Sequence, residues 1–202
     1  MNRRRSCFGK ISAGLVFGVV LLGIPAWASA HLVTTGMGPV YDGIGHLLLS
    51  PEDFVPVLAL ALYAGLRGTA AGRKAMFQLP LAWLVGGLIG TAVNLTIPFP
   101  VAALSFFILG GLVAADLCLP AAAVTVLSVL LGLTHGFLNG VALSEGAGTL
   151  GLVGVMAMLF ILVTLAAALV ISRGKPWMRI AVRVGGSWIA AMGLLMFGWA
   201  LR

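Results

Sequence analysis

Charged residues are scarce in this sequence. Of 202 residues only 8% are charged, against about 25% in an average soluble domain. Acidic residues are the scarcest, with five Asp and Glu against twelve Lys and Arg. Hydrophobic residues make up 61% of the chain. This composition excludes a soluble globular protein and predicts one whose surface faces lipid.

The apolar residues form continuous runs of about twenty, the length that a helix needs to cross a bilayer. They do not alternate with polar residues, which excludes a membrane β-barrel. We therefore predict an all-α fold, a polytopic transmembrane helical bundle with about six spans. The predicted spans are residues 54–66, 76–95, 101–117, 121–143, 150–171 and 180–201.

Cysteine is nearly absent too, with Cys7 and Cys118 as the two instances. The C-x-x-C metal pattern is missing, and so are the H-E-x-x-H and G-x-S-x-G patterns of hydrolases. No nucleotide-binding motif appears either. We therefore predict that the protein is not an enzyme and that it does not hydrolyse ATP.

Residues 1–30 have the pattern of a secretory signal. A basic segment, an apolar core and the sequence Ala28-Ser29-Ala30 follow one another, as signal cleavage requires. We predict a cleaved signal peptide over 1–30 and a single transmembrane helical domain over 31–202. An uncleaved first helix is the alternative.

Basic residues cluster in two loops, after the first and after the fifth predicted span, and the opposite loops carry none. Such loops face the cytoplasm, which predicts a bacterial inner-membrane protein with a periplasmic mature N-terminus. Topology and the signal thus account for the net charge of +7, and we predict no nucleic-acid partner. The loop residues are Arg67, Arg73, Lys74, Arg173, Lys175, Arg179 and Arg183.

Glycines recur at every fourth position in two of the predicted spans. The second span carries Gly86 and Gly90, and the fourth carries Gly132, Gly136 and Gly140. Small residues at this spacing leave one helix face smooth and allow a close helix–helix approach.

The chain has three histidines, and the predicted topology places all of them at the outer face. Asp42 and His46 are four residues apart, and so are His135 and Asn139, so each pair shares a helix face. Imidazole with carboxylate or amide oxygens suits Ni, Co, Cu and Zn. We predict that the two pairs form a transition-metal site, with His31 as a further ligand or merely the first residue of a mobile arm.

Other interpretations of these polar residues stay open. A buried polar side chain in a membrane helix also serves as a hydrogen-bond link between helices. Glu145, in an outer loop, either attracts cations or is plain solvated surface. Glu52 and Asp53 follow Ser50 and a proline, which predicts helix capping rather than metal binding. Asp116 is expected to pair with a basic loop residue or to serve as an exit point.

Two motifs give the chain a resemblance to a known family. Residues 38–46, Gly-Pro-Val-Tyr-Asp-Gly-Ile-Gly-His, are similar to His-Pro-x-x-Gly-x-Asp-His with one extra residue. Gly38 and Gly45 replace the leading His and the Asp, and Asp42 is a candidate substitute. Residues 135–140, His-Gly-Phe-Leu-Asn-Gly, are similar to His-Gly-x-x-His-Gly. The chain resembles the HupE/UreJ family, membrane proteins associated with hydrogenase and urease systems and regarded as nickel or cobalt permeases.

The resemblance implies an inner-membrane permease for Ni²⁺ or Co²⁺, with Zn²⁺ or Cu²⁺ as alternative cargo and no permanently bound cofactor. The expected partners are the lipid bilayer and the metal ion, with a second copy of the chain or metalloenzyme maturation proteins as further candidates. A non-transporting metal-binding or assembly protein and a metal-dependent intramembrane hydrolase are the alternative functions. The predicted metal-site residues are His46, His135, Asp42, His31, Asn139 and Glu145.

Overall fold

The computed structural model describes residues 34–93, 95, 100–173 and 176–201. The predicted signal peptide and His31 lie outside these residues. Helices are the only regular elements in the described part, so the all-α prediction is confirmed. The helices are α1 (Pro39–Leu49), α2 (Pro51–Leu66), α3 (Thr69–Val93), α4 (Val101–Ala115), α5 (Ala121–Leu143), α6 (Gly148–Arg173) and α7 (Pro176–Ala200).

Four described helices, α3, α5, α6 and α7, are long and apolar enough to cross a membrane. The helices α1 and α2 meet at 76° and together form a bent pair that counts as a fifth candidate. The remaining helix, α4, has 15 residues and is about 22 Å long, shorter than a hydrocarbon core of about 30 Å. The chain is a membrane protein, and the estimate of six spans is approximate because α4 is short.

The bend between α1 and α2 occurs at Ser50 and Pro51, where the sequence predicted a helix start. The Ser50 N–H still donates to the carbonyl of His46 at 3.0 Å, which closes α1. The Ser50 carbonyl then accepts from the N–H groups of Asp53 and Phe54, which opens α2. Pro51 lacks an N–H and suits the first turn, where none is needed.

The glycines of α3 and α5 bring those two helices into close contact, and such a close approach was predicted for each of the two spans, although their pairing was not. A Cβ on Gly136 would overlap the backbone of Trp83, and a Cβ on Gly90 would overlap that of Phe137. Because only glycine fits at these positions, the two backbones run side by side. This contact sets His135, the neighbour of Gly136, beside the Trp83 ring.

A second close pair is formed by α4 and α7. A Cβ on Gly110 would overlap the backbone of α7, and a Cβ on Gly193 would overlap that of α4. The helix α2 contacts α3, α4, α5 and α6, and side chains such as Leu60 and Tyr63 are fully buried there. Polar groups on α2 can therefore reach both α4 and α5.

One end of the bundle is tied together by Asp116. This residue ends α4 in the left-handed conformation, with φ 52° and ψ 41°. Its carboxylate accepts hydrogen bonds from Arg67 at the end of α2 and from Arg179 on α7. The Tyr63 hydroxyl adds a 2.8 Å hydrogen bond to the carbonyl of Leu117. Of the two expectations for Asp116, pairing with basic residues is the one observed.

Candidate functional site

Buried polar side chains are rare in the described part of the chain, and most of them meet at one point. Only four polar or charged residues are buried there, and three of them form a single cluster. Asp53 is 4% exposed, His135 1% and Asn139 3%. The fourth, Ser128, donates its hydroxyl to the Val124 carbonyl within its own helix.

The cluster is a chain of short hydrogen bonds between three helices. His135 Nδ1 lies 2.8 Å from Asp53 Oδ1, and Asn139 Nδ2 lies 2.7 Å from Asp53 Oδ2. On the other side of the imidazole, His135 Nε2 lies 2.9 Å from Ser105 Oγ. One carboxylate thus holds two side chains of α5, and the imidazole connects α5 to α4.

Helix geometry explains why these residues meet. His135 and Asn139 are four residues apart on α5, so both point from the same face. Asp53 is the third residue of α2 and Ser105 the fifth of α4, while Asn139 lies four residues before the end of α5. The cluster is therefore close to one end of all three helices. Arg67, at the other end of α2, is about 21 Å away along the helix axis.

Trp83 closes one side of the cluster. Its ring centroid lies 5.7 Å from that of His135, with a tilt of 34° between the rings. The buried Trp83 Nε1 and Asn139 Oδ1 have no hydrogen-bond partner among the described residues. Because an unpaired buried polar atom is costly, these two atoms mark positions that a ligand or water can satisfy.

The other predicted pair, Asp42 and His46, lies on α1, which packs mainly against α6. Asp42 Oδ1 accepts from the N–H and the hydroxyl of Thr35, both at 2.6 Å. The half-buried His46 side chain makes no hydrogen bond or ion pair with another described residue. The carboxylate that meets His135 is that of Asp53, rather than that of Asp42.

Glu145 lies exposed in the turn between α5 and α6 and makes no ion pair within the described ranges. His31 is outside those ranges. Of the six predicted site residues, His135 and Asn139 are the two that the structure joins through a shared partner.

Asp53 was predicted to be a capping residue rather than a metal ligand. It lies in the first turn of α2, as predicted, but its carboxylate bonds to His135 and Asn139. Its carboxylate turns into the bundle, whereas the neighbouring Glu52 is exposed. Helical periodicity in the sequence could have indicated that Asp53 is buried, because it shares a helix face with Val57, Leu60 and Ala64. Ser105 had no comparable signal, since it is a lone hydroxyl in an apolar run.

Comparison with known proteins assigns the chain to a family. The family described as HupE / UreJ protein matches residues 19–196. This chain belongs to the HupE/UreJ family. Its members are membrane proteins generally related to nickel or cobalt transport. No curated protein and no solved structure matches the chain significantly.

The cluster of this HupE/UreJ protein offers few metal donors. Among the described residues no group of three or more His, Cys, Asp and Glu is placed to hold a metal ion. The cluster offers a carboxylate, an imidazole and an amide oxygen as donors, and imidazole is a ligand that suits Ni²⁺.

The side of the cluster at Ser105 opens on an apolar cavity. This cavity has a volume of about 280 Å³ and lies between α4 and α5, with Leu104, Ser105, Leu131 and Thr134 in its lining. The order Ser105–His135–Asp53 is also the hydrogen-bond order of a serine hydrolase triad. The geometry therefore permits two chemistries, metal binding and nucleophilic attack by a hydroxyl.

Proposed function

We propose that this HupE/UreJ protein is a permease for Ni²⁺ or Co²⁺ in the bacterial inner membrane. Its capture site is the cluster of Asp53, His135 and Asn139. One observation carries the proposal: a carboxylate and an imidazole, 4% and 1% exposed, are paired within a membrane helix bundle. Ionisable groups at membrane depth are expensive and generally mark a pathway or a site.

Charge placement supports the direction of uptake. Arg67 and Arg179 lie with Asp116 at the opposite end of the bundle from the cluster, and Arg73 and Lys74 are exposed near the start of α3. With the basic end in the cytoplasm, as the loop-charge rule requires, the cluster faces the periplasm. A cation then reaches the cluster from the side that carries fewer positive charges.

The sparse donor set also suits a transported ion. An ion that passes through must bind strongly enough to enter and weakly enough to leave. One imidazole with neutral oxygens meets that requirement better than a closed cage of four strong ligands. The sequence contains no ATP-binding motif, so uptake is passive, gradient-coupled or driven by a partner.

The test is uptake of radioactive Ni²⁺ into proteoliposomes containing the wild type or His135→Ala. Ser128→Ala is the matched control because it removes a buried polar side chain of the same helix outside the cluster. We expect uptake by the wild type and by Ser128→Ala and loss of uptake in His135→Ala. Equal uptake by all three would overturn the proposal, while metal binding without uptake in the wild type would indicate a binding or assembly protein.

The hydrogen-bond order Ser105–His135–Asp53 supports an intramembrane hydrolase as the second candidate. A hydrolase also needs an oxyanion hole, and Ser105 lies within a regular helix whose backbone N–H groups bond internally. We therefore favour the permease and propose that the protein is not an enzyme. A fluorophosphonate probe distinguishes the two candidates. Labelling of Ser105 that disappears in His135→Ala would favour the hydrolase.

A further inference from the structure

We propose that Asp53 is a positioning residue that holds His135 and Asn139, and that the ion binds to His135 Nε2 and Asn139 Oδ1. This inference rests on the proposed function and specifies the atoms of the same site. It assigns the cluster's only carboxylate to a supporting role and the metal bonds to an imidazole and an amide.

The orientation of the imidazole follows from the chemistry of its partner. A carboxylate has no proton and can only accept hydrogen bonds. His135 Nδ1, at 2.8 Å from Asp53 Oδ1, therefore carries a proton. In the neutral ring, the form that binds a metal, the lone pair is then on Nε2, which accepts a hydrogen bond from the Ser105 hydroxyl at 2.9 Å.

The same reasoning fixes the Asn139 amide. The group within 2.7 Å of Asp53 Oδ2 must be the NH₂ group, because the carboxylate needs a donor. The amide oxygen consequently points elsewhere. This Oδ1 atom has no partner among the described residues although the side chain is only 3% exposed. A buried acceptor without a donor is suited to a cation.

The two candidate binding positions differ in the kind of hydrogen bond that the ion must displace. An ion between Asp53 Oδ1 and the imidazole would displace the hydrogen bond between Nδ1 and a charged oxygen, which is stronger than a bond between neutral groups, and it would require the ring proton to move to Nε2. An ion at Nε2 displaces one hydrogen bond, that of Ser105, whose hydroxyl borders the cavity between α4 and α5. The second position therefore costs less.

Asp53 contributes in this arrangement without touching the ion. It fixes the ring tautomer, restricts both side chains and places a negative charge behind them. Carboxylates that hold a metal-binding histidine in this way raise the basicity of the ligand, and their loss lowers metal affinity by about 10–100-fold.

The decisive experiment uses the full chain in lipid nanodiscs, with ¹³C-labelled histidine and Zn²⁺ as a diamagnetic probe. The chemical shift of the imidazole Cδ2 carbon distinguishes metal bound at Nε2 from metal bound at Nδ1, and comparison with His135→Ala identifies the His135 signal. We expect Zn²⁺ at Nε2. Binding at Nδ1 would place the ion beside Asp53 and overturn the inference while leaving the permease proposal intact.

Asp53→Asn provides the second measurement. We expect its Zn²⁺ affinity to fall by about 10–100-fold with the metal still at Nε2. Glu52→Gln is the matched control, since it removes an exposed negative charge from the adjacent position, and we expect unchanged affinity. An Asp53→Asn affinity equal to that of the wild type would overturn the inference, and the wild-type spectrum decides alone if this variant fails to fold.

The two proposals fail in different ways. Absence of Zn²⁺ binding at His135 in the wild type would overturn this inference, and absence of Ni²⁺ uptake by the wild type would overturn the permease proposal. Binding at Nε2 together with absent Ni²⁺ uptake would contradict transport but support the positioning role of Asp53.

Discussion

The bundle has an aspartate near each end, and the two differ in the partners that surround them. The side chain of each is 6% exposed, although as whole residues Asp53 is buried and Asp116 is only half-buried. Asp116 lies between two guanidinium groups, those of Arg67 and Arg179. Asp53 lies between an imidazole and an amide.

This difference supports a structural role for Asp116 and the functional role that we propose for Asp53. The positive charges of Arg67 and Arg179 offset the negative charge of Asp116, so this site attracts no further cation. The two ion pairs join α2, α4 and α7. The partners of Asp53 are neutral dipoles when His135 is unprotonated, so its negative charge stays available to a cation nearby. The exposure of the side chains does not distinguish the two aspartates, whereas their partners do, and those partners support placing Asp53 in the proposed metal site.

The largest effect that would separate the two aspartates is on stability. In Asp116→Asn, the side chain of Arg67, 10% exposed, becomes a buried charge without its counter-ion. Loss of one partner from a buried ion pair costs about 3–5 kcal/mol. We expect a clear fall in the thermal unfolding midpoint of the detergent-solubilised protein. A midpoint within error of the wild type would remove the structural role that we assign to Asp116.

Asp53→Asn is expected to lower the free energy of unfolding by about 1–3 kcal/mol. This loss is smaller than that of Asp116→Asn because hydrogen-bonding groups, rather than a charge, are left unpaired. Its Ni²⁺ affinity should nevertheless fall, whereas that of Asp116→Asn in folded protein should not. Calorimetric Ni²⁺ titration of both folded variants checks that the variant with the smaller loss of stability has the larger loss of Ni²⁺ affinity. The comparison would fail if both variants lost metal binding to the same extent.

Ser105→Ala tests the hydrogen bond that covers Nε2. Without the hydroxyl, an incoming ion no longer has to displace a hydrogen bond worth about 1 kcal/mol. We expect Ni²⁺ to bind as tightly as in the wild type or up to about fivefold more tightly, as measured by the same titration. A large loss of affinity would instead make the Ser105 oxygen a metal ligand.

The smallest effect is expected from Arg179→Gln. The Arg179 side chain is 58% exposed, and exposed ion pairs contribute little because water screens them. We expect the unfolding midpoint to stay within experimental error of the wild type, in contrast to Arg67→Gln. A loss as large as that of Arg67→Gln would mean that both arginines are needed to balance Asp116.

Much of the fold was predictable because its signals are local. The four-residue glycine spacing predicted that α3 and α5 would each approach a neighbouring helix closely, though not which one, and the Ser50–Pro51 pair predicted the start of α2. His135 and Asn139 were candidates because polar side chains are rare and costly in an apolar helix.

The carboxylate of the site was not predicted because its partners are far away in sequence. Asp53 and His135 are 82 residues apart, and the local sequence around Asp53 has the pattern of a helix start. His46 shows the reverse case, since a motif resemblance selected it while the structure gives its side chain no polar partner among the described residues. Family motifs and capping patterns are local, whereas a buried cluster depends on which helices pack together.

The most direct test of the metal site is equilibrium Ni²⁺ binding to the purified protein, compared between the wild type and His135→Ala. The account predicts stoichiometric binding by the wild type that disappears when the imidazole is removed. Equal binding by the two proteins, or no binding by the wild type, would contradict it and leave the cluster as a structural link between α2, α4 and α5.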